Sequence, residues 1–360
     1  MLILLLLFLI LFSALELHKK QTFPLLVLFL LSSLAAFIEG IRWYSGTDFF
    51  MYYNSYEKVL NATTEPHNTR YEFCYLYLTK GFKILNIPYT LFLLFLSFFS
   101  VLLYSNTIRK FTIYPLTGLL VYFVSIIGFW GSNRQLIAMA IVFFGMNYLM
   151  EKKYIKFIVL VLLASCFHTT AITMLFLLLL VHKIDFKKWM ILGGGVILLS
   201  FLPLESIVIR LLDFNSSFFP YFKERFIVYS QFNEAKVDFF KNLLGLIRKA
   251  MPIVFLILFK NKLQHLKGYV FFLNISIVSF LVFFLASLNF TYLLGRFTIY
   301  FSIYECIIYS WIGYIVLDKD KWIKYSSLSL FYFFCVFSFF RSLKLYQELF
   351  IPYKTIFFTF

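Results

Sequence analysis

The 360-residue sequence predicts an all-α polytopic membrane protein. Three observations carry that prediction. Hydrophobic residues make up 62% of the chain and charged residues only 14%, where a soluble domain holds about 25% charged residues. Mean hydropathy is +0.85. The apolar residues also fall in long runs almost free of charge, at 2–15, 25–37, 91–104, 113–130, 135–150, 157–181, 190–204, 251–259, 269–294, 297–317 and 325–340. A spanning helix needs roughly 20 mostly apolar residues, and most of these runs reach that length with their Tyr, Trp and Gly flanks. Residues 1–15 lack a basic start and a small-residue cleavage site, so they read as a first span rather than a signal peptide.

Orientation follows from the turns. Basic turns lie at 19–20, 109–110, 152–156, 183–188, 260–267 and 319–324. Setting all of them on the cytoplasmic side satisfies the positive-inside rule and calls for twelve spans with both ends outside, within an expected range of ten to twelve. It requires 154–181 to be two short helices that turn near His168, an arrangement tolerated where the bare backbone lines a cavity enclosed by protein. The net charge of +16 is then mainly topology and contact with anionic headgroups, and it does not point to nucleic acid. Cys74, Cys166, Cys306 and Cys335 are scattered, and the last three read as packing residues. The sequence holds no His-Glu-x-x-His and no Gly-rich Lys phosphate loop, so no metal or cofactor is expected.

Within a single integral membrane domain over 1–360, two longer segments interrupt the short turns: 39–88 and 204–248. Both face outward in this topology, and both are too aromatic to read as disordered. The first is expected to carry an interfacial helix at 71–85, and 218–232 looks similar, with Lys223 and Arg225 among aromatics. An aromatic belt at the membrane surface accounts for Tyr and Trp there. So does a groove that stacks sugars on aromatic faces.

Charged and polar residues in so apolar a chain need partners, which makes them the best guide to a site. Arg134 opens the run at 135–150 after Gly131-Ser132-Asn133, and Ala138 and Gly145 allow another helix to approach closely. It reads either as a rim arginine or as a phosphate clamp, for which the planar guanidinium is suited. His168 stands in Ala164-Ser165-Cys166-Phe167-His168-Thr169-Thr170-Ala171. An imidazole there is a structural hydrogen-bonding group, one that moves a proton, or one that hydrogen-bonds a phosphate. Arg296 precedes the run that carries Tyr300 and Tyr304, and Glu305 lies deeper in the same run, where a buried polar pair is expected. Asp48 follows Gly46, which permits a tight turn, and Glu72 opens the expected interfacial helix. A turn cap and a helix-start carboxylate are their ordinary structural readings.

Taken in order, Gly46-Thr47-Asp48 with Tyr52, then Glu72, Arg134-Gln135-Leu136-Ile137-Ala138, Phe167-His168-Thr169-Thr170-Ala171, and Gly295-Arg296 followed by Tyr300-Phe301 resemble the EpsG/Wzy-like family of bacterial polysaccharide polymerases, over about residues 40–310. The resemblance implies an integral-membrane glycosyltransferase of GT-C-like architecture in the bacterial inner membrane, with its active site on the periplasmic or outer side. It implies that donor and acceptor are undecaprenyl-diphosphate-linked oligosaccharides, with a chain-length regulator and a flippase as accessory partners and no nucleotide sugar. On that footing His168, Asp48 and Glu72 are the candidate catalytic residues. Arg134, Arg296, Arg210 and Arg225 are candidates for the diphosphate, and Arg42, Tyr52, Tyr53, Tyr300 and Tyr304 for the glycan. A ligase, a single-sugar transferase and a flippase for lipid-linked glycans are the alternatives, the flippase disfavoured by the lack of an internal repeat with paired broken helices.

Overall fold

The structure, a computed structural model, describes residues 1–19, 23–60, 71–214, 239–288, 291–344 and 346–357. It is helical, and the β structure among the described residues is an isolated bridge between Arg42 and Thr355. Four helices are long and apolar enough to cross a membrane by length and composition: Tyr89–Phe111, Tyr269–Leu288, Phe297–Val316 and Lys321–Lys344. Five apolar helices are shorter: Leu2–His18, Leu25–Gly40, Pro115–Phe129, Tyr154–Ser165 and Thr169–Val181. The architecture is therefore that of a multi-pass membrane protein. The chain forms two compact units, Met1–Leu178 with Glu305–Phe360, and Leu179–Tyr304.

In the first unit the helices are α1 (Leu2–Lys19), α2 (Leu25–Gly40), α3 (Phe49–Lys58), α4 (Phe73–Ile84), α5 (Tyr89–Phe111), α6 (Pro115–Ile126), α7 (Asn133–Met150) and α8 (Tyr154–Ser165). Among its described residues the segment 39–88 carries the short helices α3 and α4. Helix α6 is the centre. Every residue from Leu116 to Val124 is buried, as expected for a helix that is apolar all round, and α1, α5, Glu305–Ser310 and Lys321–Lys344 pack around it. Its N-terminal N–H groups have no partner within the helix. Pro115 removes one of them. The Glu16 carboxylate of α1 accepts from the N–H of Leu116 at 3.0 Å, and from the N–H and Oγ1 of Thr117 at 2.8 Å each.

Small residues set the other helix pairs. A Cβ at Gly40 would lie 2.7 Å from Leu94 Cα, and one at Gly145 would lie 3.1 Å from the Phe157 ring. They bring α2 onto α5 and α7 onto α8. The expected helix pair at 154–181 is present as α8 and a 3₁₀ segment, Thr169–Val181, broken at Cys166–His168. A 3₁₀ run that long is unusual.

The second unit holds α9 (Phe186–Ser200), α10 (Leu204–Phe214), α11 (Phe239–Leu258), Lys260–Leu263 as α12, α13 (Tyr269–Leu288) and α14 (Thr291–Ser302). Helix α11 begins inside the stretch 204–248 that the sequence suggests as a loop, and the expected helix at 218–232 lies outside the described residues. Helix α13 packs on α9, α11 and α14, and Asn274 donates to the carbonyls of Leu180 and His182 at 2.8 Å each.

Two glycines place the loop that leads to α3. Gly46 has φ +101° and Gly131 has φ +117°, a region that side-chain-bearing residues rarely enter. The two turns touch: a Cβ at Gly46 would lie 2.5 Å from the Trp130 carbonyl oxygen, and one at Gly131 would lie 2.5 Å from the Thr47 nitrogen. The Thr47 N–H donates to that Trp130 carbonyl at 3.2 Å. On its other side the loop is held by the C-terminal segment. Trp43 N–H donates to Lys354 O at 3.0 Å, Gly46 N–H to Leu349 O at 3.2 Å, and Ile356 N–H to Ile41 O at 3.1 Å.

Gly131→Ala is expected to destabilise the protein by about 1–3 kcal/mol through backbone strain, with the steric conflict at Thr47 adding to it. Gly81→Ala, where a Cβ meets nothing within 4 Å, should stabilise α4 by about 0.5–1 kcal/mol. Thermal unfolding in detergent checks both, and a Gly131→Ala midpoint equal to that of the parent would remove the strain argument.

Candidate functional site

The contact between the two glycine turns sets α3 beside the start of α7. Arg42, just before the first turn, is buried. It donates from Nη1 to the Glu39 carbonyl at 2.7 Å and from Nη2 to Asn133 Oδ1 at 2.5 Å, and lies 3.9 Å from the Glu39 carboxylate. Arg42 therefore ties the end of α2 to the first residue of α7, and the next residue, Arg134, is held at a fixed place. Aromatic packing completes the frame. Tyr52 stacks on Tyr71 with centroids 5.7 Å apart. Tyr53 packs against Trp43, Phe49 and Tyr89.

Arg134 points into this frame. Its Nε donates to the Tyr52 hydroxyl at 3.0 Å, and its Nη1 donates to Glu72 Oε2 at 2.5 Å. The guanidinium also lies over the Tyr71 ring, 4.8 Å from its centroid, a favourable cation–π placement. Glu72, at the start of α4, accepts with its other oxygen. Oε1 lies 3.3 Å from His168 Nδ1, and takes hydrogen bonds from Thr169 N–H and Thr169 Oγ1 at 3.2 Å each. His168 and Thr169 are delivered by the break between α8 and the 3₁₀ segment. Side chains of Arg134 and His168 are each 12% exposed, and that of Glu72 is 18%, so this polar set is mostly shielded from solvent.

The electrostatics follow from that geometry. Burial pushes the Glu72 carboxyl up, but the His168 hydrogen bond and the charges of Arg134 and His168 outweigh it and hold the group at about 2. Glu72 is therefore a carboxylate at any physiological pH and a poor proton acceptor. Burial pushes the Tyr52 phenol up to about 12 despite Arg134, with Asp48 adding to the rise, so Tyr52 keeps its proton. With Nδ1 of His168 committed to Glu72, Nε2 is buried and has no hydrogen-bond partner among the described residues. A buried polar atom without a partner calls for an explanation, and a substrate group is one. Thr47 Oγ1, in the glycine turn, is in the same condition. A carboxylate that orients an imidazole through Nδ1 and leaves Nε2 open is an arrangement that moves protons.

Of the residues singled out in the sequence, Arg134, Glu72, His168 and Tyr52 form one contacting set. Asp48 immediately precedes α3 and acts on Tyr52 through its charge. Arg42 and Tyr53 hold the frame. Tyr300 and Tyr304 are buried in the second unit, with Tyr304 against Phe271 and Phe272. Arg210 is exposed on α10. Arg296 falls within α14, its side chain outside the described residues, and Arg225 lies outside them altogether. Sequence reasoning missed Tyr71, Asn133 and Thr169. Each adjoins a singled-out residue, which was the available signal. No group of three or more His, Cys, Asp or Glu that could hold a metal occurs among the described residues.

Fold and site together define a multi-pass helical membrane protein with a shielded acid–base cluster. The chain belongs to the EpsG family, whose model matches residues 22–355. No curated protein and no solved structure matches it. Family membership and the membrane architecture support a general role as a membrane enzyme of polysaccharide biosynthesis.

The Glu72 ion pair has a pH signature. Its contribution to stability is full above the ordinary carboxylate value of 4.5 and is lost as pH falls toward about 2. The melting difference between the parent and Glu72→Gln should be flat from neutral pH down to about 5 and shrink below that. A difference that instead disappears between pH 7 and 5 would mean that Glu72 is not held low.

Proposed function

We propose that this protein polymerises glycan repeat units carried on undecaprenyl diphosphate, at the outer face of the membrane. The observation that carries the proposal is the Glu72–His168 pair with its open, buried Nε2. An acceptor hydroxyl of the incoming lipid-linked unit attacks the anomeric carbon of the growing glycan. The bond from that carbon to the lipid diphosphate breaks, and the diphosphate leaves with the bonding electrons. The hydroxyl proton passes to His168 Nε2. Glu72 orients the ring and stabilises the imidazolium that forms, and Arg134 fixes Glu72 while adding positive charge to the site.

The diphosphate is already a good leaving group, so the reaction needs positioning and charge stabilisation more than strong acid catalysis. Arg134, beside Glu72 and His168, is the arginine proposed for the diphosphate; Arg296, Arg210 and Arg225 are candidates for it on the sequence alone. Asp48 is the competing base on the acceptor side. The aromatic faces around Tyr52 and Tyr71 suit sugar rings.

The test is a reaction of purified protein with undecaprenyl-diphosphate-linked repeat units, in EDTA and without nucleotide sugar. A ladder growing by one repeat unit with release of undecaprenyl diphosphate is expected. His168→Ala should lower the rate by about 10²–10⁴-fold, the range for loss of a general base, and Glu72→Gln by less. Asp48→Asn should leave a measurable rate. A folded protein that transfers no native lipid-linked glycan but moves it across a liposome bilayer would make it a transporter instead.

A further inference from the structure

Two thiols that the sequence holds 92 residues apart meet beside this cluster. Cys74 is the second residue of α4, two beyond Glu72, and Cys166 closes α8, two before His168. The Cys74 N–H donates to the Cys166 carbonyl at 2.9 Å, and the Cys166 thiol is near enough to raise that of Cys74. Disulfides bridge Cα atoms roughly 4.4–6.8 Å apart, and a direct backbone hydrogen bond holds these two residues close; both thiols are free in this structure. Both cysteines are half-buried, whereas Cys306 and Cys335 are fully buried.

We propose that Cys74 and Cys166 close into a disulfide on the outer face of the membrane, a covalent staple across the Glu72–His168 pair. The outer face is where disulfides form and persist. This placement is shared with the proposed function, but the covalent step needs no glycan chemistry. Burial, and then the neighbouring thiol, raise the Cys74 thiol, so little thiolate is present to react unaided. A disulfide-bearing oxidase of that compartment supplies the electron acceptor. One cysteine sulfur attacks the oxidase disulfide to give a mixed disulfide. The second cysteine sulfur then displaces the oxidase, leaving Cys74–Cys166 joined and the oxidase as two thiols, which carry the two electrons and two protons lost by the pair.

The staple fixes the start of α4 to the break after α8. It therefore holds the carboxylate and the imidazole at one separation whatever occupies the site.

The test uses membranes quenched in acid from growing cells and alkylated under denaturing conditions before digestion. A crosslinked peptide pair containing Cys74 and Cys166 is expected, with Cys306 and Cys335 recovered as alkylated thiols. Recovery of all four as alkylated thiols overturns the proposal. Reduction should lower the melting temperature of the purified parent by several degrees and leave that of a Cys74→Ser, Cys166→Ser protein unchanged. An equal response in both overturns the staple. The polymerisation assay is run separately on the same preparation, so a crosslinked protein without polymer counts only against the enzymatic reading.

Discussion

Glu72 is where three distant stretches of chain meet: the start of α4, the N-terminus of α7 through Arg134, and the break after α8 through His168 and Thr169. A carboxylate this shielded is stable only with its lone pairs satisfied and its charge opposed. Both conditions are met, one oxygen by the guanidinium and the other by the imidazole and a threonine. The requirement runs outward from there. Arg134 reaches Glu72 because Asn133 is pinned by Arg42. Asn133 can be pinned because the Gly131 turn nests against the Gly46 turn without side chains between them. That loop in turn keeps its place because the C-terminal segment hydrogen-bonds along its edge.

Much of this was legible in the amino-acid order, for a definite reason. Hydropathy is a local property, so the helical membrane character emerged from run length alone, and the paired short helices at 154–181 followed from alternating the basic turns. Scarcity did the rest. Arg134, His168 and Glu72 stood out because charged and titratable groups are few in so apolar a chain. Their pairing was not legible, because nothing local records that residues 62 and 96 positions from Glu72 are its partners. The same limit hid Cys74 against Cys166, and the hydrogen bonds that Arg42 makes to backbone and to Asn133. Roles that depend on distant packing are invisible until the packing is known.

The division of labour inside the cluster also differs from what a list of charged residues suggests. Arg134, the proposed diphosphate arginine, also has a structural part. In place, its nitrogens serve Tyr52 and Glu72, and its plane rests on Tyr71. Its first effect is to hold Glu72 ionised, which leaves the imidazole as the group with spare hydrogen-bonding capacity.

The cap that Glu16 forms on α6 bears on how the protein is built as well as on how it stands. Helix α1 leaves the ribosome about one hundred residues before Leu116 and Thr117, whose N–H groups its carboxylate receives. During that interval the first span carries an unpartnered acid, and a charge at membrane depth is costly. The acid lies near the C-terminal end of α1, which closes at Lys19, so it starts close to the end of that span. Once α6 is present, its first N–H groups give that carboxylate its partners. The family-matched stretch begins at residue 22, so the helix that supplies this cap lies outside it.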